Sequence, residues 1–430
     1  MEDRGSWRDD WRVLLVAFTL AGVVESQAFG HLGAFTPIFL QELGIAKARI
    51  PQWTGVLSAL GFVLGLPLLP FWGVWADRYG RKLIIVRSAY VEGVLFTIAA
   101  FSPNVWVLAV ARFLGGFVLG NTGVMLALLA ERTPRKRLGL AVGIASAGFP
   151  LGSAIGPFVG GLVVAGPGIR TLLFFDACLS ALMGLALTLV IRERRVAGRG
   201  NATVGRMLRA AVHDIVAAPV VLRLFILYFA ATFGMSVVTP FVPIVLQRLY
   251  VGPSVAVPTV IGTTLTLAGI AMAVTTPLWG RLGDVVGRWR VLPVCIGAIA
   301  VGLLIEGLAP ALLPFQGGVV WNGLFQGGIG TTVIALLALL APEERRASIL
   351  NFSLLPSQLS WFLGPITGAA LAAVTLRLPF FFGVCALAIA TALALLVARA
   401  AGRESLTATE KVASPDSAAP GVAVGVGSGE

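Results

Sequence analysis

The stretch Gly73-Val-Trp-Ala-Asp77-Arg78-Tyr-Gly80-Arg81-Lys82 is a charged knot between two long apolar runs. A second copy, Gly280-Arg-Leu-Gly-Asp284-Val-Val-Gly287-Arg288, follows about half a chain later. Glycine, aspartate, glycine and arginine fall at the same spacing in both, so the two copies predict a duplicated chain. The runs around them are about 20 residues long, the length a helix needs to cross a hydrocarbon layer of roughly 30 Å. With 57% hydrophobic and 12% charged residues, the chain is far less charged than a soluble domain, in which about a quarter of residues carry charge. Lipid therefore sets the fold, and backbone polar groups are satisfied inside helices.

The net charge of +12 would suit a nucleic-acid partner if it formed one patch, but it does not. With the N-terminus inside, the cytoplasmic segments collect nearly all of it: Arg4, Arg8 and Arg12; Arg78, Arg81, Lys82 and Arg87; Arg132–Arg137; the run from Arg192 to Arg223; Arg281–Arg290; Arg345 and Arg346; and Arg399, Arg403 and Lys411. The opposite side receives Lys47, Arg49, Arg170, Arg248 and Arg377, and Arg112 alone is left within a span. This is the positive-inside pattern of a membrane protein, and it makes nucleic acid unnecessary. Cys178, Cys295 and Cys385 share no motif spacing and are expected as small buried hydrophobes. Met1–Arg12 carries both signs of charge and precedes a span too long for a signal peptide.

The order of apolar runs predicts an all-α membrane protein of twelve transmembrane helices in two pseudo-symmetric six-helix bundles. Residues 1–12 form a cytoplasmic segment, 13–191 the first bundle and 192–220 a cytoplasmic linker. Residues 221–398 form the second bundle and 399–430 a disordered cytoplasmic tail. The repeat is visible beyond the two knots. Pro37-Ile-Phe-Leu-Gln41 matches Pro243-Ile-Val-Leu-Gln247, and Gly156-Pro157 with Gly160 matches Gly364-Pro365 with Gly368. The offset drifts only from 206 (Pro37 to Pro243) to 208 (Gly156 to Gly364). Parallel repeats of this kind place a substrate site between the halves near the midplane.

These motifs resemble the major facilitator superfamily, over roughly 13–398, and within it the twelve-span drug–proton antiporter branch. Gly73–Lys82 is similar to the superfamily's loop motif, with Trp75 in place of the usual leucine. Gly152-x-x-x-Gly156-Pro157-x-x-Gly160-Gly161 resembles the antiporter motif of the fifth span, and Leu108, Arg112, Gly116 and Gly120 resemble the branch's fourth-span motif. Phe233-Gly234 followed by Pro240-Phe-Val-Pro243 resembles a proline motif that normally sits in the first span, where this chain has only Pro37. The resemblance implies that the two loops, with Gly73, Asp77, Arg78, Gly80 and Arg81 in one and Gly280, Asp284, Gly287 and Arg288 in the other, latch the halves in one access state. It also implies that the glycine face of the fifth span packs against the second half and favours export. Without it, the loops read as topogenic turns and the glycines as generic small-residue packing.

Glu25 is the leading candidate for chemistry. It lies 12 residues beyond Val13, roughly 18 Å into the first span at ~1.5 Å per residue. An ionised carboxylate at that depth is costly, so it faces a cavity and is paired or protonated, which suits a proton carrier. The alternative is a structural ion pair. Arg112 lies at matching depth and would modulate Glu25 without direct contact, or simply bond nearby carbonyls. Gln27, His31, Asn121, Trp321, Asn322, Gln326, Gln358 and Trp361 are candidate cavity residues, with His31 near the outer mouth. Glu92 is a candidate structural partner, while Asp176 and Glu306 are expected to snorkel or cap in the outer leaflet.

The chain carries no phosphate-binding loop, zinc spacing or nucleophile elbow, so it is not expected to be an enzyme and needs no cofactor beyond a proton gradient. The expected function is proton-coupled efflux of small amphipathic or lipophilic compounds by alternating access, from a multi-pass protein of the plasma (inner) membrane with both termini cytoplasmic. Its expected partners are substrate, protons and lipid, with the chain a monomer. Export of a defined metabolite (a sugar or an amino-acid derivative), lipid translocation, and a non-transporting sensor are the rival readings.

Overall fold

The computed structural model describes residues 10–192, 205, 209, 213–252, 254–343, 349–350 and 352–413, the side chains at 70, 73, 77 and 400–413 excepted. The described residues are mostly helical, with no strand among them. The first half comprises α1 (Trp11–Glu42), α2 (Ile50–Tyr79), α3 (Arg81–Ala100), α4 (Val105–Leu114), α5 (Asn121–Arg132), α6 (Leu138–Ala165) and α7 (Ile169–Val190). The second comprises α8 (Pro219–Ser236), α9 (Val242–Leu249), α10 (Val257–Leu282), α11 (Arg288–Leu308), α12 (Leu312–Leu340), α13 (Leu355–Val374) and α14 (Leu378–Ala413). Most of the expected linker, Arg345, Arg346 and residues 414–430 lie outside the described residues, as does the side chain of Asp77.

Length and apolarity pick out ten candidate spans among the described residues rather than twelve. Two places account for the difference. Val257–Leu308 counts as one stretch of 52 residues, although it turns at Gly283–Gly287 between α10 and α11. Leu355–Val374 falls outside the ten. The expected tail also needs correction, because α14 continues to Ala413 instead of ending near 398.

Local chemistry explains the helix ends. The Asp10 side chain accepts from Arg12 N (2.9 Å) and caps α1, and Asn104 accepts from the amides of Trp106 and Val107 to cap α4; such caps contribute about 1 kcal/mol each. The two repeated knots turn through the same conformation, Gly80 at φ 102° and Gly287 at φ 101°, a region nearly closed to residues with a Cβ. The fourth span is broken: a 3₁₀ turn at Gly115–Phe117 and Gly120 at φ 91° separate α4 from α5. A Cβ at Gly116 would strike the α2 backbone at Gly61 and Gly65, and one at Gly120 would strike the Trp72 ring. The fourth-span motif glycines thus let the broken helix lie directly on α2.

The halves meet along two matched interfaces, α6 on α10 and α13 on α2. At the first, the Pro157 carbonyl lies against Gly262 and Gly161 lies against Pro258. At the second, the Pro365 carbonyl lies against Gly55. The pairs are repeat mates, since 157 corresponds to 365 and 55 to 262. The amide of Phe158 also donates to Thr266 Oγ1 on α10 at 3.1 Å.

The glycine row of α6 corrects an expectation. Added Cβ atoms at Gly152, Gly156 and Gly160 would meet Ser26, Gln27 and His31 of α1, not the second half. A three-and-four-residue spacing identifies a smooth face but not its neighbour. The neighbouring ridge, Ala154–Pro157–Gly161, is the one that reaches α10. In the second half Gly364 and Gly368 face Ser236, Val237 and Phe241 of the α8–α9 segment in the same manner.

Candidate functional site

A cavity of about 1820 Å³ lies between the halves, walled by α1–α6 on one side and by α8–α13 on the other. Its lining reaches Arg78 and Arg81 at the end carrying the basic loops. At the other end it stops at Ala34 and Pro243, one to two turns short of a reciprocal amide pair. There Gln41 Nε2 donates to Gln247 Oε1 at 2.9 Å, and Gln247 Nε2 donates to Gln41 Oε1 at 3.2 Å. The partners are the final residues of the matched Pro37–Gln41 and Pro243–Gln247 segments, so repeat mates close this end across the pseudo-twofold axis.

Glu25 lines the cavity, and Asn121 holds it: Asn121 Nδ2 donates to Glu25 Oε2 at 2.7 Å and to Ser88 Oγ at 3.1 Å. Gly120, in its left-handed conformation, starts α5 one residue earlier and so sets where this amide points. Arg112 also lines the cavity, but its Nε donates to the Leu57 carbonyl of α2 at 2.9 Å rather than to Glu25. Sequence alone missed a second embedded cation, Arg87. It sits over the Trp72 ring at 3.3 Å from the centroid and donates to the Leu119 carbonyl, bracing the break between α4 and α5.

Of the candidate cavity residues, Asn121, Asn322, Gln326, Gln358 and Trp361 line the cavity, whereas Gln27, His31 and Trp321 do not. Gln27 packs its backbone on Gly156, and Trp321 donates to the Ala298 carbonyl. His31 is 1% exposed, far from the solvated mouth expected of it. Its Nε2 lies 2.8 Å from the Gly156 carbonyl and its Nδ1 2.9 Å from Asp176 Oδ2. A carbonyl can only accept, so Nε2 carries a hydrogen, and a second proton must lie between Nδ1 and the Asp176 carboxyl. Asp176 is fully buried and Glu306 is 3% exposed, so neither snorkels. Both were misplaced because depth along a helix says nothing about which side of it faces lipid. Glu92 is buried too, and a small void lined by Glu25, Ser88, Glu92 and Asn121 separates it from Glu25. Of the cysteines, only Cys295 is buried, while Cys178 and Cys385 are exposed.

The described side chains of the loop motifs make contacts within their own halves. Asp284 pairs with Arg288 within its own turn. Arg81 pairs with Glu131 at the end of α5, a partner the sequence did not suggest. Arg78 lies over the adjacent Tyr79 ring.

A family model described as Major Facilitator Superfamily matches residues 14–255 and 224–425. The chain belongs to the Major Facilitator Superfamily. It is therefore a multi-pass membrane transporter and not an enzyme. Among curated relatives, the chain is 26% identical over 367 residues to "Multidrug resistance protein MdtG" of Escherichia coli O17:K52:H18 (strain UMN026 / ExPEC), covering 85% of this chain and 89% of that one. Solved structures of similar fold include a bacterial homologue of the human lysosomal transporter Spinster, in an inward-facing and unoccupied conformation. Its TM-score is 0.75 at 17% identity, over 92% of this chain and 98% of that one. The POT family transporter PepTSo is similar at a TM-score of 0.70 and 14% identity, over 90% and 98% of the two chains.

Proposed function

We propose that this chain exports small amphipathic or lipophilic compounds in exchange for protons, by alternating access. The observation that carries the reading is Glu25, a carboxylate at the wall of a cavity shared by both halves and held there by Asn121. An acid on a largely apolar wall can hold either a proton or a polar group of the substrate, which is what exchange requires. The likeness to a protein named for multidrug resistance supports the substrate class. The positive-inside rule supports an inner-membrane protein with both termini cytoplasmic. In that orientation the cavity opens inward and the Gln41–Gln247 pair seals the outside. Protons entering from outside then protonate Glu25 and favour release of substrate. Asn121 positions the carboxyl, and Arg112 fixes α4 on α2 without neutralising it.

The test is transport of a panel of lipophilic compounds by proteoliposomes under an imposed pH gradient, wild type against Glu25→Gln. The variant keeps an acceptor for the Asn121 amide, so the packing is retained. Flux driven by the gradient in wild type and lost in the variant is expected. Gradient-driven flux that survives the substitution would overturn the assignment.

A further inference from the structure

The second half holds a buried acid that the proposed exchange at Glu25 does not use. Glu306 of α11 lies at the cavity wall beside Asn322 of α12. Asn322 Nδ2 donates to Glu306 Oε1. The other oxygen of each group, Glu306 Oε2 and Asn322 Oδ1, is buried and without a partner. Unsatisfied buried acceptors cost about 1–3 kcal/mol each, and here both belong to one pair. The space is built for the pair: a Cβ at Gly302 would strike the Asn322 carboxamide, and one at Gly318 would crowd Glu306 Cγ.

Both orphan atoms are acceptors, so whatever satisfies them is a donor. Both are also sealed from solvent, so the simplest donor is one the pair supplies itself. We infer that Glu306 and Asn322 form an acid–amide ring that carries one proton, a second proton site on the cavity wall in the half opposite Glu25. The amide donates to Oε1 and the acid hydroxyl on Oε2 donates to Asn322 Oδ1, so one proton satisfies both groups. The arrangement echoes Glu25 with Asn121, an acid held by an asparagine, but neither Glu25 oxygen is both sealed from solvent and without a partner. Few other charged or titratable groups face this site. Arg377, before α14, is engaged by the carbonyls of Gly307 and Ala309. Cys295 lies three turns down α11, Cys385 on α14 is exposed, and α12 carries no ionisable side chain.

Infrared spectroscopy of the reconstituted full chain at neutral pH tests the inference through the carbonyl band of protonated carboxyl groups. In Glu306→Gln that band should lose one component, and in Glu25→Gln the same component should remain. The glutamine amide can close the same ring with Asn322, so the packing is kept. In Asn322→Leu the ring opens, and the component should shift to the position of an unbonded acid. A band unchanged by Glu306→Gln, or a component unmoved by Asn322→Leu, overturns the proposal. The measurement needs no transport, so failure of export at Glu25 and failure of this site are separately visible.

Discussion

The close contact between Gly262 and the Pro157 carbonyl makes Gly262→Ala a direct test of how the halves are held. A Cβ there would fall on the carbonyl oxygen, 3.0 Å from the carbonyl carbon and 3.3 Å from Gly161 Cα. All three atoms are backbone of α6, so no side chain can swing aside. Restoring ordinary contact at about 3.5–4.0 Å means parting α6 and α10 by on the order of 1 Å. Overpacking of this kind costs about 1–3 kcal/mol, charged wholly to the state in which this interface is closed. That is about a 5–150-fold shift in the equilibrium between access states. Gly262 and Gly55 both lie near the end sealed by Gln41 and Gln247, so the shift should open that end. Electron–electron distance measurements with spin labels at Glu42 and Arg248 read it as growth of a longer-distance population. Gly55→Ala, whose Cβ would meet the Pro365 carbonyl and Ala369, should act in the same direction. Gly139→Ala, where an added Cβ meets nothing within 4 Å, should be silent. An unchanged distance distribution in folded Gly262→Ala would refute the idea that these glycine–carbonyl contacts hold the closed end.

Two further outcomes follow from individual contacts. Gln41→Ala or Gln247→Ala removes both hydrogen bonds between the two amides, at about 0.5–1.5 kcal/mol net each, so the same spin-label pair should show opening. The double variant should open no further than either single one, and additive effects would show that the amides do not act as a pair. Gly120→Ala forces a left-handed residue to carry a Cβ, at about 1–2 kcal/mol, and drives that Cβ into the Trp72 ring. It should lower the thermal unfolding midpoint in detergent, and a midpoint equal to wild type would show that α4 and α5 can rejoin without cost.

The duplication was legible because its marks are local. Gly80 and Gly287 are demanded by one backbone conformation, and proline carbonyls and their facing glycines recur at a near-constant offset. Glu25 was legible because an acid at mid-depth stands out against apolar residues. The rest depended on neighbours that sequence spacing does not encode. Hydropathy treats Asp176, Glu306 and a lipid-facing acid alike, yet Asp176 meets His31 across 145 residues of chain. The glycine row of α6 was read correctly as a smooth face and assigned to the wrong partner for the same reason. The break in the fourth span was hidden because Gly115–Gly120 is as apolar as the helices around it.

The scaffold and its polar groups obey different symmetries. The turns, the two interfaces and the closing amides all occur as repeat mates, which lets one rocking motion close one end while freeing the other. The acids do not. The residue 206 places after Glu25 is Ala231, and the residue 207 places before Glu306 is Ala99, both alanines buried in the core. Each half therefore brings its own carboxyl to the shared cavity from a different helix, α1 in one and α11 in the other. A symmetric frame thus carries acids that the repeat does not relate, so the two halves differ in polar chemistry while sharing one architecture.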